Sequence, residues 1–294
     1  MALIIQNLSK TYPNGIKALS NINLSVPSGI FGLLGPADAG KTSLVRSIAT
    51  LQKTDSGSIF YNDIDVINEK EKVCEILGYL PQDFNINLEI NPEKFLDYLA
   101  LLKGITNEKK RKHTVEFLLE KTNLTPYKKQ KLSSFSIGMK QRFGIAQALL
   151  GNPELLLLDE PFVGLDLNEK KYFFKLLTEI SQDRVVLFST CFIEDVKELC
   201  KELAILNKGQ IVFAGNQRDA INNIKDYVYE ARPKNRDVET EFLKNGYQVI
   251  SEKLHMGNPV LHIYSEEKLE QFKAIPADLE DVYFRFLASQ TINS

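Results

Sequence analysis

Nine consecutive residues, Gly35-Pro36-Ala37-Asp38-Ala39-Gly40-Lys41-Thr42-Ser43, set glycines, a lysine and a hydroxyl at the spacing G-x-x-x-x-G-K-[ST]. Glycines let main-chain N–H groups converge on phosphate oxygens, and a helix start adds positive potential. A lysine supplies a point charge, and a threonine hydroxyl can ligate Mg²⁺. The string carries this meaning only where it joins a strand to a helix N-terminus. Both flanks comply: the apolar run Gly29-Ile30-Phe31-Gly32-Leu33-Leu34 enters like a buried strand, and Ser43-Leu44-Val45-Arg46-Ser47-Ile48-Ala49 leaves with helical spacing. The loop is therefore read as a phosphate cradle and not as an ordinary glycine turn.

A second group of reactive residues lies at Glu154-Leu155-Leu156-Leu157-Leu158-Asp159-Glu160-Pro161. Four leucines bounded by a proline turn suit a strand buried on both faces of a parallel sheet. Two carboxylates at the end of such a strand are costly unless they hold a metal or activate water. Gln82, after the short strand Ile76 to Leu80 and Pro81, offers an amide oxygen to a metal or a water, or is a solvated loop residue. Tyr12, at the edge of the turn Pro13-Asn14-Gly15, either stacks on a nucleobase or is an ordinary strand aromatic; the phosphate loop downstream favours stacking.

These residues need elements to hold them, and the chain supplies them in order. Leu3 to Val26 form two strand-like segments around the Pro13 turn. Ser56 to Asp63 read as a turn and strand. Pro92 to about Thr122 turn helical, with Phe95, Leu96, Leu99 and Leu102 on one face, and a second helix starts after Lys131 to Gly138. A helix around Glu169 to Ile180 leads to a buried strand, Arg184 to Thr190, and Leu203 to Gly215 read as two strands round a turn. Past Gly215 the texture becomes charge-rich: Tyr227 to Tyr229, a helix near Val238 to Lys244, strands near Tyr247 to Ile250 and Val260 to Tyr264, and a closing helix from Pro276 to Ala288. The expected division is 1–215 with a helical insertion over about 83–145, then a small α+β unit over 216–294.

With 294 residues the chain has room for one large and one small unit. The 36 basic and 38 acidic residues are balanced, so no electrostatic footprint for nucleic acid is expected. Cys74, Cys191 and Cys200 form neither a disulfide framework nor a metal spacing, which implies a reducing compartment. The N-terminus alternates like a strand and lacks the features of a signal peptide. No apolar stretch reaches the length of about 18 residues needed to span a bilayer, so any membrane work requires another chain.

The order of these pieces resembles the ATP-binding subunits of ABC transporters over the first 215 residues. Five stations match in sequence: Tyr12, the Walker A loop, the Q-loop Gln82, the signature Phe135-Ser136-Ile137-Gly138-Met139-Lys140-Gln141-Arg142, and Walker B through D-loop, Leu155 to Asp166. The tail Leu279-Glu280-Asp281-Val282-Tyr283, with Pro276, is similar to the C-terminal region of the ABC-2-type exporter subfamily, which serves drug, antibiotic and self-immunity export. The resemblance implies an α/β P-loop NTPase of ABC type, with a mainly parallel core sheet, an N-terminal antiparallel β subdomain and a helical insertion. It implies a cytoplasmic subunit, peripheral on the inner face of the cell membrane through a permease, paired with a second ATP-binding domain as homodimer or heterodimer. By the same carry-over Tyr12 stacks on adenine, and Lys41 with the loop amides from Gly35 to Ser43 holds the phosphates of ATP. Thr42, Gln82 and Asp159 place Mg²⁺, and Glu160 polarises the attacking water. Ser136 and Gly138 close on the partner's γ-phosphate, and Asp166 couples the two sites. Phe84 and Ile86 are expected near the groove that receives a permease helix.

Three positions depart from the pattern. Asp38 stands where glycine is common. At roughly 6 Å and an effective dielectric of about 20 it would repel each unit of phosphate charge by on the order of 3 kcal/mol, falling below about 1 if it points to water. Asp tolerates a positive φ in place of glycine. Ile137 replaces the first of two signature glycines, and its β-branched side chain limits close approach to a phosphate. Cys191 stands at the switch histidine, and a thiol is a weak donor; it is read as a small apolar filler rather than a reactive group. Two functions remain open: a slow ATPase with Glu160, Lys41, Gln82 and Cys191 in its catalytic region, or a hydrolysis-deficient nucleotide-binding subunit with a structural or regulatory role. A non-transport ATPase is a third and less favoured reading, because such relatives carry long coiled coils or two ATP domains and neither is seen in this sequence.

Overall fold

The computed structural model describes residues 1–84, 88–232, 247–255 and 258–291. β1 (Ala2–Thr11) and β2 (Lys17–Pro27) pair antiparallel around the Pro13 turn. Ile22, Leu24 and Val26 alternate inward along β2, the period-2 pattern of a strand with one covered face. β3 (Gly29–Leu34) and α1 (Lys41–Ile48) flank the glycine loop. β4 (Ser56–Tyr61) and β5 (Ile64–Asp65) complete a four-stranded antiparallel sheet in the order β2-β1-β4-β5. α2 (Lys70–Ile76) leads to β6 (Leu77–Leu80).

The helical region expected from Pro92 onward is two helices, α3 (Pro92–Leu102) and α4 (Glu108–Lys121). The break has a local cause: the Asn107 side chain accepts from the Lys110 N–H and starts a new helix. Asn91 does the same for α3, with Pro92 in its first turn. α5 (Ile137–Ala148) begins inside the signature stretch, because Ser136 caps it through the Met139 N–H. β7 (Leu155–Asp159), α6 (Leu167–Ile180), β8 (Val185–Thr190), α7 (Ile193–Leu199), β9 (Glu202–Asn207) and β10 (Gln210–Asn216) follow.

The central six-stranded sheet has the order β10-β9-β3-β8-β7-β6, parallel except for β10. Because the strands run one way, the loops after β3, β6, β7 and β8 emerge at one edge, where ligands bind in open α/β sheets. The register makes this concrete: Leu34 lies opposite Thr190, Leu80 opposite Leu158, and Asp159 opposite Ser189. The leucine run of β7 is split between the faces. Leu155 and Leu157 join the core shared with α1 and the antiparallel sheet, and Leu156 and Leu158 join the core on the other face.

α8 (Gln217–Asn222) precedes an antiparallel sheet of β11 (Val228–Ala231), β12 (Gln248–His255), β13 (Asn258–Tyr264) and β14 (Lys273–Ala274), in the order β12-β13-β11-β14. The closing helix α9 (Leu279–Thr291) starts three residues later than the proline suggests. The Asp278 N–H donates to the Asp281 carboxylate at 2.9 Å and the Asp281 N–H to the Asp278 carboxylate at 3.0 Å, a reciprocal cap that defines its first turn. Leu279, Val282 and Tyr283 of α9 are buried in the same core as Val196 and Cys200. The expected helix at Val238 to Lys244, and Ile86, lie outside the described residues. Among the described residues no helix is long and apolar enough to cross a membrane.

Leu157 is fully buried, whereas Leu101 on α3 is about half exposed. Leu157→Ala should lower the unfolding free energy by about 2 to 5 kcal/mol, and Leu101→Ala by no more than about 0.5. Urea titrations followed by circular dichroism measure both; equal midpoints would contradict this placement of the core.

Candidate functional site

Gly40 enters α1 at φ +106°, and a Cβ there would lie 2.3 Å from the Ala18 carbonyl oxygen, so only glycine fits. No side chain caps α1, which leaves its first N–H groups directed into the loop. Lys41, only 6% exposed, folds back over that loop. Its Nζ donates to Gly35 O at 2.8 Å and to Pro36 O at 3.0 Å, and lies 3.2 Å from Glu160 Oε1. An ammonium has three protons, and three oxygens surround this one.

Glu160 is 7% exposed and sits at φ +49°, a conformation that costs a non-glycine residue on the order of 1 kcal/mol or more. Ser189 on the neighbouring strand holds it there. The Glu160 N–H donates to Ser189 Oγ at 3.0 Å and approaches its carbonyl oxygen at 3.2 Å. The same hydroxyl donates to Asp159 Oδ1 at 2.5 Å. Asp159 Oδ2 and Glu160 Oε2 are buried with no hydrogen-bond partner. Thr42 Oγ1 donates to Gln82 Oε1 at 3.3 Å beside them. Burial pushes the Asp159 carboxyl up from its ordinary value, against the opposing pull of the Ser189 and Thr42 hydroxyls and the charges of Lys41 and Arg46.

A glycine cradle, a buried lysine and two carboxylates at the carboxyl edge of a parallel sheet are the geometry of a phosphate site, and comparison with known proteins agrees. The family model described as "ABC transporter" matches residues 19–163. The linearmycin resistance ATP-binding protein LnrL of Bacillus subtilis (strain 168) is 30% identical over 222 residues, 74% of this chain and 70% of LnrL. The chain belongs to the ABC transporter ATP-binding family. The probable multidrug ABC transporter ATP-binding protein YbhF of Escherichia coli (strain K12) is 33% identical over 219 residues, and the match spans 74% of this chain but 38% of YbhF. A solved ATP-binding subunit of an ABC transporter superposes with a TM-score of 0.68 at 25% identity, over 76% of this chain and 93% of that one.

The ABC motif residues fall into two groups. Gly35 to Ser43, Gln82, Asp159, Glu160 and Cys191 gather at the edge of the central sheet. Ser136, Gly138 and Asp166 form a separate cluster, in which Ser136 caps α5 and Asp166 caps α6. Tyr12 is anchored from outside the loop: its hydroxyl donates to Gln52 Oε1 at 3.0 Å and lies 3.0 Å from Ser43 Oγ. The Ser43 hydroxyl is thus engaged within the chain. Asp38 is exposed at φ +61°, so the loop keeps a glycine-like backbone while the carboxylate faces water. Ile137 is 63% exposed on the first turn of α5, its Cγ2 against Gly164. Cys191 is exposed, yet partial desolvation and the nearby Glu160 carboxylate push its thiol up, so it stays protonated at neutral pH. Ser189 escaped the sequence reading; its only sequence signal is its place at the polar end of an otherwise apolar strand.

The donors present suit Mg²⁺. The Thr42 hydroxyl, the Gln82 amide oxygen and the unpartnered Asp159 Oδ2 are hard oxygen ligands of the kind this cation takes.

The Asp159 shift has a stability consequence. A carboxyl whose folded pKa is raised binds its proton more tightly when folded, so the charged form costs stability at pH above that raised value. Asp159→Asn should therefore melt higher than the parent protein at pH 8, and the gap should close as pH falls below the ordinary carboxylate range. Thermal melts across pH 4 to 8 measure this; a pH-independent gap would contradict the assignment.

Proposed function

We propose that this chain is the ATP-binding subunit of a membrane exporter, and that it pairs with a second ATP-binding domain to couple ATP binding and hydrolysis to a separate permease. One observation carries the reading: a buried Lys41–Glu160 pair beside the unpartnered oxygens of Asp159 and Glu160, at the mouth of the glycine loop. Lys41 and the loop amides hold the phosphates, Tyr12 stacks on the adenine, and Thr42, Gln82 and Asp159 hold Mg²⁺. The cation, when bound, neutralises phosphate charge and orients the transferring group. Glu160 Oε2 accepts a hydrogen bond from the attacking water and orients it. Ser136 and Gly138 meet the γ-phosphate held by the partner domain, and Asp166 links the two sites.

Residues 1–215 form the ATP-binding unit in this reading, and 216–294 an accessory unit. The groove lined by Leu88, Ile90, Phe95 and Tyr98 takes the permease helix on the inner face of the membrane. LnrL is named for linearmycin resistance and YbhF as a probable multidrug transporter protein, which supports export of a drug or antibiotic.

A second reading is favoured by Cys191. A protonated thiol replaces an imidazole donor beside Glu160, and losing one transition-state donor typically costs a factor of about 100 to 1,000 in rate. In that reading the subunit binds nucleotide and regulates the complex without turnover.

Phosphate release by the purified protein separates the two. The motor reading expects slow release that Glu160→Gln abolishes and Cys191→His raises about 100-fold. No release in the parent protein and none in Cys191→His would leave the regulatory reading standing. Both readings require that Mg-ATP raise the melting temperature and that Lys41→Ala remove this shift; an unaltered shift would overturn both.

A further inference from the structure

The first turn of α6 touches the signature helix on one side and the loop after β8 on the other. Asp166 and Glu169 close a reciprocal cap: the Glu169 N–H donates to Asp166 Oδ1 at 2.8 Å, and the Asp166 N–H donates to Glu169 Oε2 at 3.3 Å. The Glu169 carboxylate lies flush against Gly138, where a Cβ would meet Oε1 at 2.0 Å. Its Oε1 is also 4.0 Å from Arg142 Nη2 on α5.

The next residue faces the other way. Lys170 Nζ donates to Asp195 Oδ1 at 2.8 Å and lies 5.0 Å from the centre of the Phe192 ring. Asp195 is 2% exposed, and its Oδ2 accepts from Thr190 Oγ1 at 3.2 Å. Thr190 Oγ1 in turn accepts from the Phe192 N–H at 3.0 Å. One oxygen of this buried carboxylate is thus held by Lys170, and the other holds the Thr190 hydroxyl that fixes the Phe192 N–H, so the residues on either side of Cys191 are tied to α6 through Asp195.

We propose that Glu169 and Lys170 act as positioning residues that yoke the N-terminus of α5 to the Thr190–Phe192 loop through one rigid helical turn. A displacement at Gly138 moves Glu169, and the same turn carries Lys170, Asp195 and the loop bearing residue 191. Within one subunit, the face offered to a partner's nucleotide and the loop beside its own site then share one support. The functional meaning rests on the ATP-site reading above, but the mechanical link does not, so its test uses no turnover.

The probe is the reaction of the Cys191 thiol with a maleimide, in full-length protein carrying Cys74→Ser to silence the other exposed cysteine; Cys200 is buried. Lys170→Met with Asp195→Asn removes the ion pair without stranding a charge, and should speed labelling about tenfold. Glu169→Ala, at a residue whose hydrogen bonds and ion pair run to Asp166 and Arg142 rather than to the loop, should speed it about threefold. Combined with the Lys170 and Asp195 changes it should add nothing, because the link is already cut. Lys170→Arg should keep the parent rate. Thermal melts confirm that each variant is folded. The proposal is overturned if Glu169→Ala leaves the labelling rate unchanged, or if its effect multiplies that of the other pair. With the link intact, failure of ATP to bind would refute only the functional reading.

Discussion

A lysine ammonium and a glutamate carboxylate, both more than nine-tenths buried, stand 3.2 Å apart at the mouth of a glycine loop. Such a pair is a poor way to gain stability. Desolvating two charges costs several kcal/mol each, and well-packed apolar residues often do as well or better in their place. Around it the strain accumulates: Glu160 holds a left-handed backbone, burial disfavours the charged form of Asp159, and one oxygen of each acid has no partner. The sheet tolerates this because β3, β7 and β8 are locked in parallel register by leucine, valine and phenylalanine on both faces. Ser189 then spends one hydroxyl on two duties, donating to Asp159 and accepting from the Glu160 N–H.

What could be read beforehand was local. The glycine loop, the leucine run and the Asp159-Glu160 pair are each contiguous, and their chemistry follows from spacing. The ladder partners of β7 are not contiguous with it. Ser189 reaches Asp159 only because the strands pair Leu155 with Val185, a register no short window contains. The Tyr12 hydroxyl is similar, since its partners are Ser43 on α1 and Gln52 in the segment that follows that helix, 31 and 40 residues away. Helix boundaries failed for a different reason: Asn107, Ser136 and Asp278 are short polar residues whose capping role depends on which neighbour turns helical. The helix expected at Val238 to Lys244 falls outside the described residues.

The three departures from the ABC pattern share a physical property. Asp38, Ile137 and Cys191 are all exposed, and none disturbs the framework beneath it. Asp38 takes the positive φ the loop requires, and Ile137 serves as an ordinary first-turn residue of α5. Cys191 sits on a loop whose shape is set by Thr190 and Asp195, not by its own side chain. Such positions lie at the surface, where a side chain can change with little effect on the packing beneath it.

The signature makes the distinction within two adjacent residues. At position 137 the side chain is 63% exposed and lies with its Cγ2 against Gly164, so the fold accommodates a branched residue there. At position 138 any Cβ would collide with the Glu169 carboxylate, and through it with the cap that starts α6. Replacing that glycine would have to move the Glu169 side chain, and with it the 3.3 Å bond from the Asp166 N–H that forms one half of the α6 cap. The retained motif residues therefore report two different constraints. Lys41, Asp159 and Glu160 bear an electrostatic cost that nothing in the packing around them repays, whereas Gly138 and Asp166 make contacts that the fold itself uses.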